Sequence, residues 1–267
     1  MRIEAVVLAF VTMCAGTPAR AQSVIRVPEQ FATIQAGVDA AQDGDTVLVG
    51  PGEWGPVSWA GKGITLRSTG GADVTIINRD LAPPQPVDIG PSPGTTSRIE
   101  GFTLRRGSAV QQGGGVRAVD AGTLVIERCV IERNTASQGG AIYLEDTDLT
   151  VRDSRVDRNF AFDQRGIIYV ENSGDVTLER CGFYLNPRST GTPSRLVYVD
   201  GDGDVVFDQC IGARNPFGQA VILGTGTIEV VNSMFEGLQS VFTTGGQVTV
   251  ESSFFGVSPA FVDEMEG

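Results

Sequence analysis

The sequence predicts an all-β chain wound as a solenoid, a parallel β-helix, and three observations carry that expectation. The first is an internal repeat. LVIERCVIERN (124–134), LTVRDSRVDRN (149–159), VTLERCGFYLN (176–186) and VVFDQCIGARN (205–215) superimpose without gaps, their starts 25, 27 and 29 residues apart. Second, each copy carries a further apolar stretch, such as Ile142-Tyr-Leu144, Ile167-Ile-Tyr-Val170 or Leu196-Val-Tyr-Val199. Short strands alternating with turns and no intervening helix exclude a βαβ fold and suit one coil of a solenoid, each strand pairing with its counterpart ~4.8 Å away. Third, the alignment puts small or apolar residues at one position (Phe102, Cys129, Ser154, Cys181, Cys210, Ser233, Ser253) and Asn134, Asn159, Asn186 and Asn215 five residues on. The first series reads as an inward stack. The second reads as a ladder of side-chain amides bonded from coil to coil at a turn where asparagine tolerates a left-handed backbone.

Met1-Arg2, an apolar run from Ala5 to Ala15 and the ending Ala19-Arg20-Ala21 predict a signal peptide over residues 1–21. No later run approaches the ~20 apolar residues of a membrane span, so none is expected. Val24 to Val27 reads as a strand. Phe31, Ile34, Val38 and Ala41 share one face of a short helix for which Thr33 is the expected cap. Asp43-Gly44-Asp45 then turns the chain into a strand from Thr46 to Val49, and residues 24–50 form an N-terminal cap over the open end of the core. Asn78 to Ser97, with five prolines, reads as a stiff irregular loop. One solenoid domain is expected over 24–263, with a tail at 264–267, and the end of the last coil is a candidate surface for end-to-end association.

Composition narrows the chemistry. The 267 residues carry 20 Lys+Arg against 32 Asp+Glu, a net charge of −12, with Lys62 the sole lysine. That balance argues against a general nucleic-acid binder, which needs a basic face to release counterions. The chain has no histidine, which excludes Ser-His-Asp and Cys-His nucleophiles and His-ligated zinc. Cys129, Cys181 and Cys210 share the inward position and read as buried thiols, with a bridge between Cys181 and Cys210 geometrically open.

The block VPEQFATIQAGVDAAQDGDTVLVGPGEW (27–54) resembles the N-terminal cap of secreted right-handed parallel β-helix proteins of the pectin-lyase-like superfamily. Asn134-Thr-Ala-Ser-Gln-Gly-Gly-Ala-Ile142 is similar to repeats of the same group, and Ser258-Pro-Ala-Phe-Val-Asp263 to its closing element. The resemblance implies a right-handed parallel β-helix with a short N-terminal capping helix, exported to the periplasm, the cell surface or the medium. It does not choose among the superfamily's lyases, hydrolases, esterases and adhesins.

Candidate site residues follow from recurrence. Arg133, Arg158 and Arg214 precede the asparagine ladder, with Leu185 interrupting, and could grip an acidic polysaccharide through forked hydrogen bonds or pair with Glu132 and Asp157. Trp54 and Trp59 could form an aromatic platform for sugar, or pack against the cap. Glu127, Arg152, Glu179, Asp208 and Glu251, with Arg128, Asp153 and Arg180 beside them, read as charges pairing between coils rather than a catalytic cluster. No cofactor is expected. Asp200-Gly-Asp202-Gly-Asp204 admits a weak calcium site, although the twelfth position, Ile211, excludes an EF-hand. The leading functional expectation is non-catalytic recognition of carbohydrate or a surface partner. The alternatives are a calcium-dependent uronate lyase and a structural stalk.

Overall fold

The structure is a computed structural model that describes residues 21–78, 85–109, 111–186, 195–215, 218–222, 225–236 and 238–256. The expected signal peptide up to Arg20, residues 79–84, the closing element at 258–263 and the tail at 264–267 lie outside the described residues.

The chain winds as a parallel solenoid. Among the described residues sheet B has nine strands, from Gly52–Trp54 and Thr75–Asn78 through Val130–Glu132, Arg155–Asp157 and Gly182–Tyr184 to Phe254–Gly256. Sheet A has sixteen strands among the described residues, in two bands. The first band contains Val57–Trp59, Val87–Ile89 and residues 116–119, 142–145, 168–171 and 197–200, and the second contains 123–127, 149–152, Val176–Glu179 and Val205–Asp208. Two long strands, Val116–Glu127 and Ile142–Arg152, run through both bands, so in those coils the two expected short strands are one strand bent near residues 120–122. Thr135–Gln138 and Phe160–Arg165 pair as a small sheet C.

Strict register builds the core. Leu124, Leu149, Val176, Val205 and Ile228 stack at one inward position, and Ile126, Val151, Leu178, Phe207 and Val230 at another, all buried. Two polar ladders thread it. At one, the Asn134 N–H donates to Asn159 Oδ1 at 3.1 Å, that of Asn159 to Asn186 at 2.9 Å and that of Asn186 to Asn215 at 3.0 Å. Their Nδ2 groups donate back to Leu104, Ile131, Val156 and Phe183 carbonyls. At the other, the Cys129 N–H meets Ser154 Oγ, that of Cys210 meets Ser233 Oγ and that of Ser233 meets Ser253 Oγ, each at 3.0 Å. Cys129, Cys181 and Cys210 are free and buried. A thiol hydrogen bond between Cys181 and Cys210, then burial, raises the Cys181 pKa, and burial pushes Cys129 up to about 11.

Glycines let the coils approach. Gly174, Gly203, Gly226 and Gly246 succeed one another along the axis, and a Cβ on Gly203 would lie 2.4 Å from the Gly174 carbonyl oxygen and one on Gly226 2.0 Å from that of Gly203. No L side chain fits there.

The N-terminal end is covered as the sequence predicts. Helix α1 (Ile34–Ala40) is capped by Thr33, whose hydroxyl accepts from the Ala36 N–H, and buries Ile34 and Val38. Lys62 Nζ reaches its other end, donating to the Val38 and Ala41 carbonyls at 2.6 and 2.7 Å. The loop expected over 78–97 is corrected: Val87–Ile89 is a first-band strand pairing with Val57–Trp59 and residues 116–118. Its alternation sends Val87 and Ile89 inward, fully buried. Thr96 and Ser97 already belong to the next strand, Thr96–Glu100. In the last described coil Val248 and Val250 hold core positions yet are 41% and 47% exposed.

Lys62→Met keeps the apolar stem and removes the charge on the helix C-terminus. It should lower unfolding free energy in urea by about 1–2 kcal/mol; a loss below a few tenths would mean that the cap does not depend on this contact.

Candidate functional site

The outer face of the first band carries a polar row built one coil at a time. Register aligns Asp88, Arg117, Tyr143, Tyr169 and Tyr198 in one column, and Glu145, Glu171 and Asp200 in the next outward column. The three tyrosines form an apolar cluster of their own, separate from the core. The rings of Tyr169 and Tyr198 stack at 5.5 Å and those of Tyr143 and Tyr169 lie tilted at 5.7 Å.

Hydrogen bonds tie the row along the axis. Arg117 Nη1 meets Asp88 Oδ1 at 3.1 Å, and Gln112 Nε2 donates to the Tyr143 hydroxyl at 2.9 Å. That hydroxyl donates to Glu171 Oε2 at 2.6 Å, with Glu145 Oε2 at 3.1 Å as its alternative acceptor. One coil on, Arg165 Nη1 donates to the Tyr169 hydroxyl, which donates to Asp200 Oδ2, both at 3.1 Å. The Arg195 guanidinium lies 4.2 Å from the Tyr198 ring centroid, a cation–π contact. Gln112, Gln138 and Arg165 share one register position and wall the row on one side. The tyrosines are buried beneath, while Glu145, Glu171, Asp200, Arg117 and Arg165 are half-buried. Glu171 and Asp200 each engage one carboxylate oxygen, with Glu145 as the alternative acceptor for the Tyr143 proton, and among the described residues their other oxygens meet no donor.

Sequence reasoning saw these tyrosines only as apolar positions. The signal was present as Tyr143-x-Glu145, Tyr169-x-Glu171 and Tyr198-x-Asp200, the same pair two residues apart in three successive copies.

The expected arginine column is brought together. Arg133, Arg158 and Arg214 are exposed, with Leu185 between the second and third, and all four residues have left-handed φ of 50–55°. Arg158 pairs with Asp157 at 2.7 Å. Glu132 lies 3.8 Å from Arg155 rather than pairing with Arg133.

The tryptophan platform is corrected. Trp54 and Trp59 sit on strands of different sheets. Trp59 occupies the inward register of Ile89, is 6% exposed and donates to Ser97 Oγ at 3.2 Å. Trp54 packs half-buried against the core and donates to the Gly50 carbonyl.

The aspartates at 200, 202 and 204 do not converge. Asp200 accepts from Tyr169, Asp202 from the N–H and hydroxyl of Thr225, and Asp204 from those of Thr227. No group of three metal-ligating side chains stands together among the described residues. The charges beside the cysteine ladder pair between coils: Arg98 with Glu127 at 2.8 Å, Arg152 with Glu127 at 3.3 Å, and Arg180 with Asp153 through a fork at 2.6 and 3.0 Å.

Burial first, then the neighbouring carboxylates, pushes Tyr143, Tyr169 and Tyr198 up from the ordinary tyrosine value. Because the folded values are raised, this contribution to stability is complete below the ordinary value near ~10 and is lost as pH rises through the folded values. Alkaline titration followed by tyrosinate absorbance should leave these three phenols protonated until the fold opens. Ionisation of all four tyrosines with an ordinary midpoint, circular dichroism unchanged, would contradict the row.

The sequence profile of the family described as right-handed beta helix region matches residues 58–235. Comparison with curated protein sequences returns no match. Among solved structures, pectin methylesterase from carrot superimposes with a TM-score of 0.57 at 12% identity, over 94% of this chain and 92% of that one. Pectin methylesterase from Yersinia enterocolitica gives 0.55 at 9%, over 84% and 90%. A pectin methylesterase in complex with a hexasaccharide gives 0.54 at 8%, over 91% and 94%. At such identities the likeness is one of fold. The profile, by contrast, spans more than half of the sequence and the coils that carry the polar row, and the chain belongs to the right-handed β-helix family.

Proposed function

We propose that the chain is an exported β-helix protein that recognises a polysaccharide along the outer face of the first band, with no chemistry of its own. The observation that carries this reading is the row itself: three half-buried carboxylates on successive coils, Glu171 held by the Tyr143 hydroxyl with Glu145 as its alternative acceptor and Asp200 held by the Tyr169 hydroxyl, interleaved with arginine and glutamine. Planar polar groups of fixed orientation, repeating along an axis, suit the hydroxyls of an extended sugar chain. A solved relative in fold carries a hexasaccharide, which supports a carbohydrate ligand. Export rests on the apolar leader and its Ala-x-Ala ending.

The non-catalytic reading is supported by how the row is occupied. The tyrosines are held protonated as donors, and the carboxylates that face them are engaged as acceptors, so the groups orient one another. A calcium-dependent lyase would need carboxylates to gather on an ion, and those of the Asp200–Asp204 segment serve separate partners.

A glycan array followed by product analysis tests the proposal. The expected result is binding without unsaturated products or released methanol. Tyr143→Phe with Glu171→Gln should weaken that binding at least ~tenfold, with little dependence on salt. Product formation would overturn the non-catalytic reading, and binding that survives both substitutions would remove the row from it.

A further inference from the structure

The interior holds two thiols side by side that the polar row does not use. Cys181 directly precedes Gly182 and Cys210 directly precedes Ile211, and Gly182 and Ile211 are register partners. Glu179 and Asp208 are partners on the other side, so the two cysteines hold the same position one coil apart. The Ile211 N–H donates to the Cys181 carbonyl at 2.9 Å, which ties the two strands at that point. Adjacent parallel strands bring such Cα atoms to ~4.8 Å, inside the ~4.4–6.8 Å span of a disulfide. The two thiols share a hydrogen bond, and the Cys210 sulfur reaches back to the coil of Cys181, 3.2 Å from the Leu178 carbonyl.

The ladder does not call for sulfur here. Ser154, Ser233 and Ser253 fill the same position in other coils, and their hydroxyls accept the neighbouring N–H at 3.0 Å. Where the Cys129 sulfur accepts from the Phe102 N–H, the distance is 3.5 Å. Cys129 is out of reach as a partner. Ser154 stands between it and Cys181, so their Cα atoms lie two coils, ~9.6 Å, apart, beyond the limit for a bridge. The thiols do not belong to a metal set either, since no group of three ligating side chains stands together among the described residues.

We propose that Cys181 and Cys210 form a disulfide between coils when the chain folds in an oxidising compartment, and that Cys129 stays a thiol. The oxidant is another disulfide. One cysteine attacks it as the thiolate and releases one thiol, and the second cysteine then displaces the other. Two S–H bonds and the S–S bond of the oxidant are exchanged for the Cys181–Cys210 bond and two thiols of the reduced oxidant. Both cysteines are buried in the folded chain, so the exchange belongs to folding, before the coil of Cys210 closes. The bridge closes the loop from 181 to 210, which contains Tyr198 and Asp200, and so fastens that end of the polar row to the coil before it. The proposal rests on the export reading for the source of its oxidant alone; the test supplies the oxidant, so either can fail without the other.

The purified protein is reduced and unfolded, then refolded with or without oxidised glutathione. It is alkylated with N-ethylmaleimide in denaturant and digested with trypsin without reduction, which releases residues 181–188 and 196–214 as separate peptides. After refolding with oxidised glutathione the two should be joined, two hydrogens lighter than their sum, with Cys129 alkylated. Without it both should be alkylated, and the bridged protein should melt at least ~5 °C above the unbridged. Cys210→Ser installs the residue that the ladder already carries at 154 and 233. It should fold, leave Cys181 unbridged to any protein sulfur, and melt with the unbridged parent under both conditions. Three alkylated cysteines after refolding with oxidised glutathione, a bridge that includes Cys129, or a bridged protein that melts no higher than the unbridged one would overturn the proposal.

Discussion

Three corners of this solenoid leave a backbone N–H pointing along the axis, and the structure depends on a side chain of a neighbouring coil meeting it. A buried N–H without a partner costs about as much as a lost hydrogen bond plus its desolvation, and the cost recurs once per coil per corner. Three corners solve the problem with three chemistries. Asparagine amides serve the corner after sheet B, and serine hydroxyls with cysteine thiols serve the corner before it. At the third, exposed corner, Asp148 accepts from the Asp175 N–H, Asp175 from that of Asp204 and Asp204 from that of Thr227. The interior is therefore a set of hydrogen-bonded columns running through stacked apolar side chains, and a coil out of register would break every column at once.

That constraint determines what the outside can be. When register is fixed to the residue, outward side chains stand in rows, and a row's composition decides its behaviour. At the corner beside the cysteine ladder Arg128, Asp153 and Arg180 alternate in sign, and the charges there are spent on one another and on neighbouring carboxylates in surface pairs of modest energy. On the first band, tyrosines bury their rings and spend their hydroxyls orienting a line of carboxylates. At the corner after sheet B, a column of arginines interrupted by Leu185 is left without alternation. One scaffold thus yields a neutralised face, a hydrogen-bonding face and an arginine-lined corner, from the same repeat with different residues at outward positions.

The parts legible in the sequence are those that recur without gaps. The asparagine and cysteine positions, the arginine column and the interruption at Leu185 could be read because four copies superimpose, and Thr33 because capping is a local event. Other features depend on facts that a single copy does not contain. Val87–Ile89 is a three-residue strand, too short for its alternation to stand out among neighbouring prolines. Whether Trp59 points in or out depends on its pairing with Ile89 in the next coil, and at that register it points in. The tyrosines read as apolar because their rings are indeed buried, and only the register shows that they lie on the outer side, over Glu171 and Asp200. The pairing of Lys62 with the end of α1 joins residues more than twenty positions apart that no pattern links.

The claim on which both faces rest is that the asparagine column holds the coils in register. Its most direct test is Asn159→Ala in equilibrium urea denaturation. The substitution strips the Asn134 N–H and the Ile131 carbonyl of their partners inside the core, and should lower the unfolding free energy by at least about 3 kcal/mol. A loss below about 0.5 kcal/mol, within the range of ordinary surface substitutions, would mean that register is held by apolar stacking alone and would contradict the account.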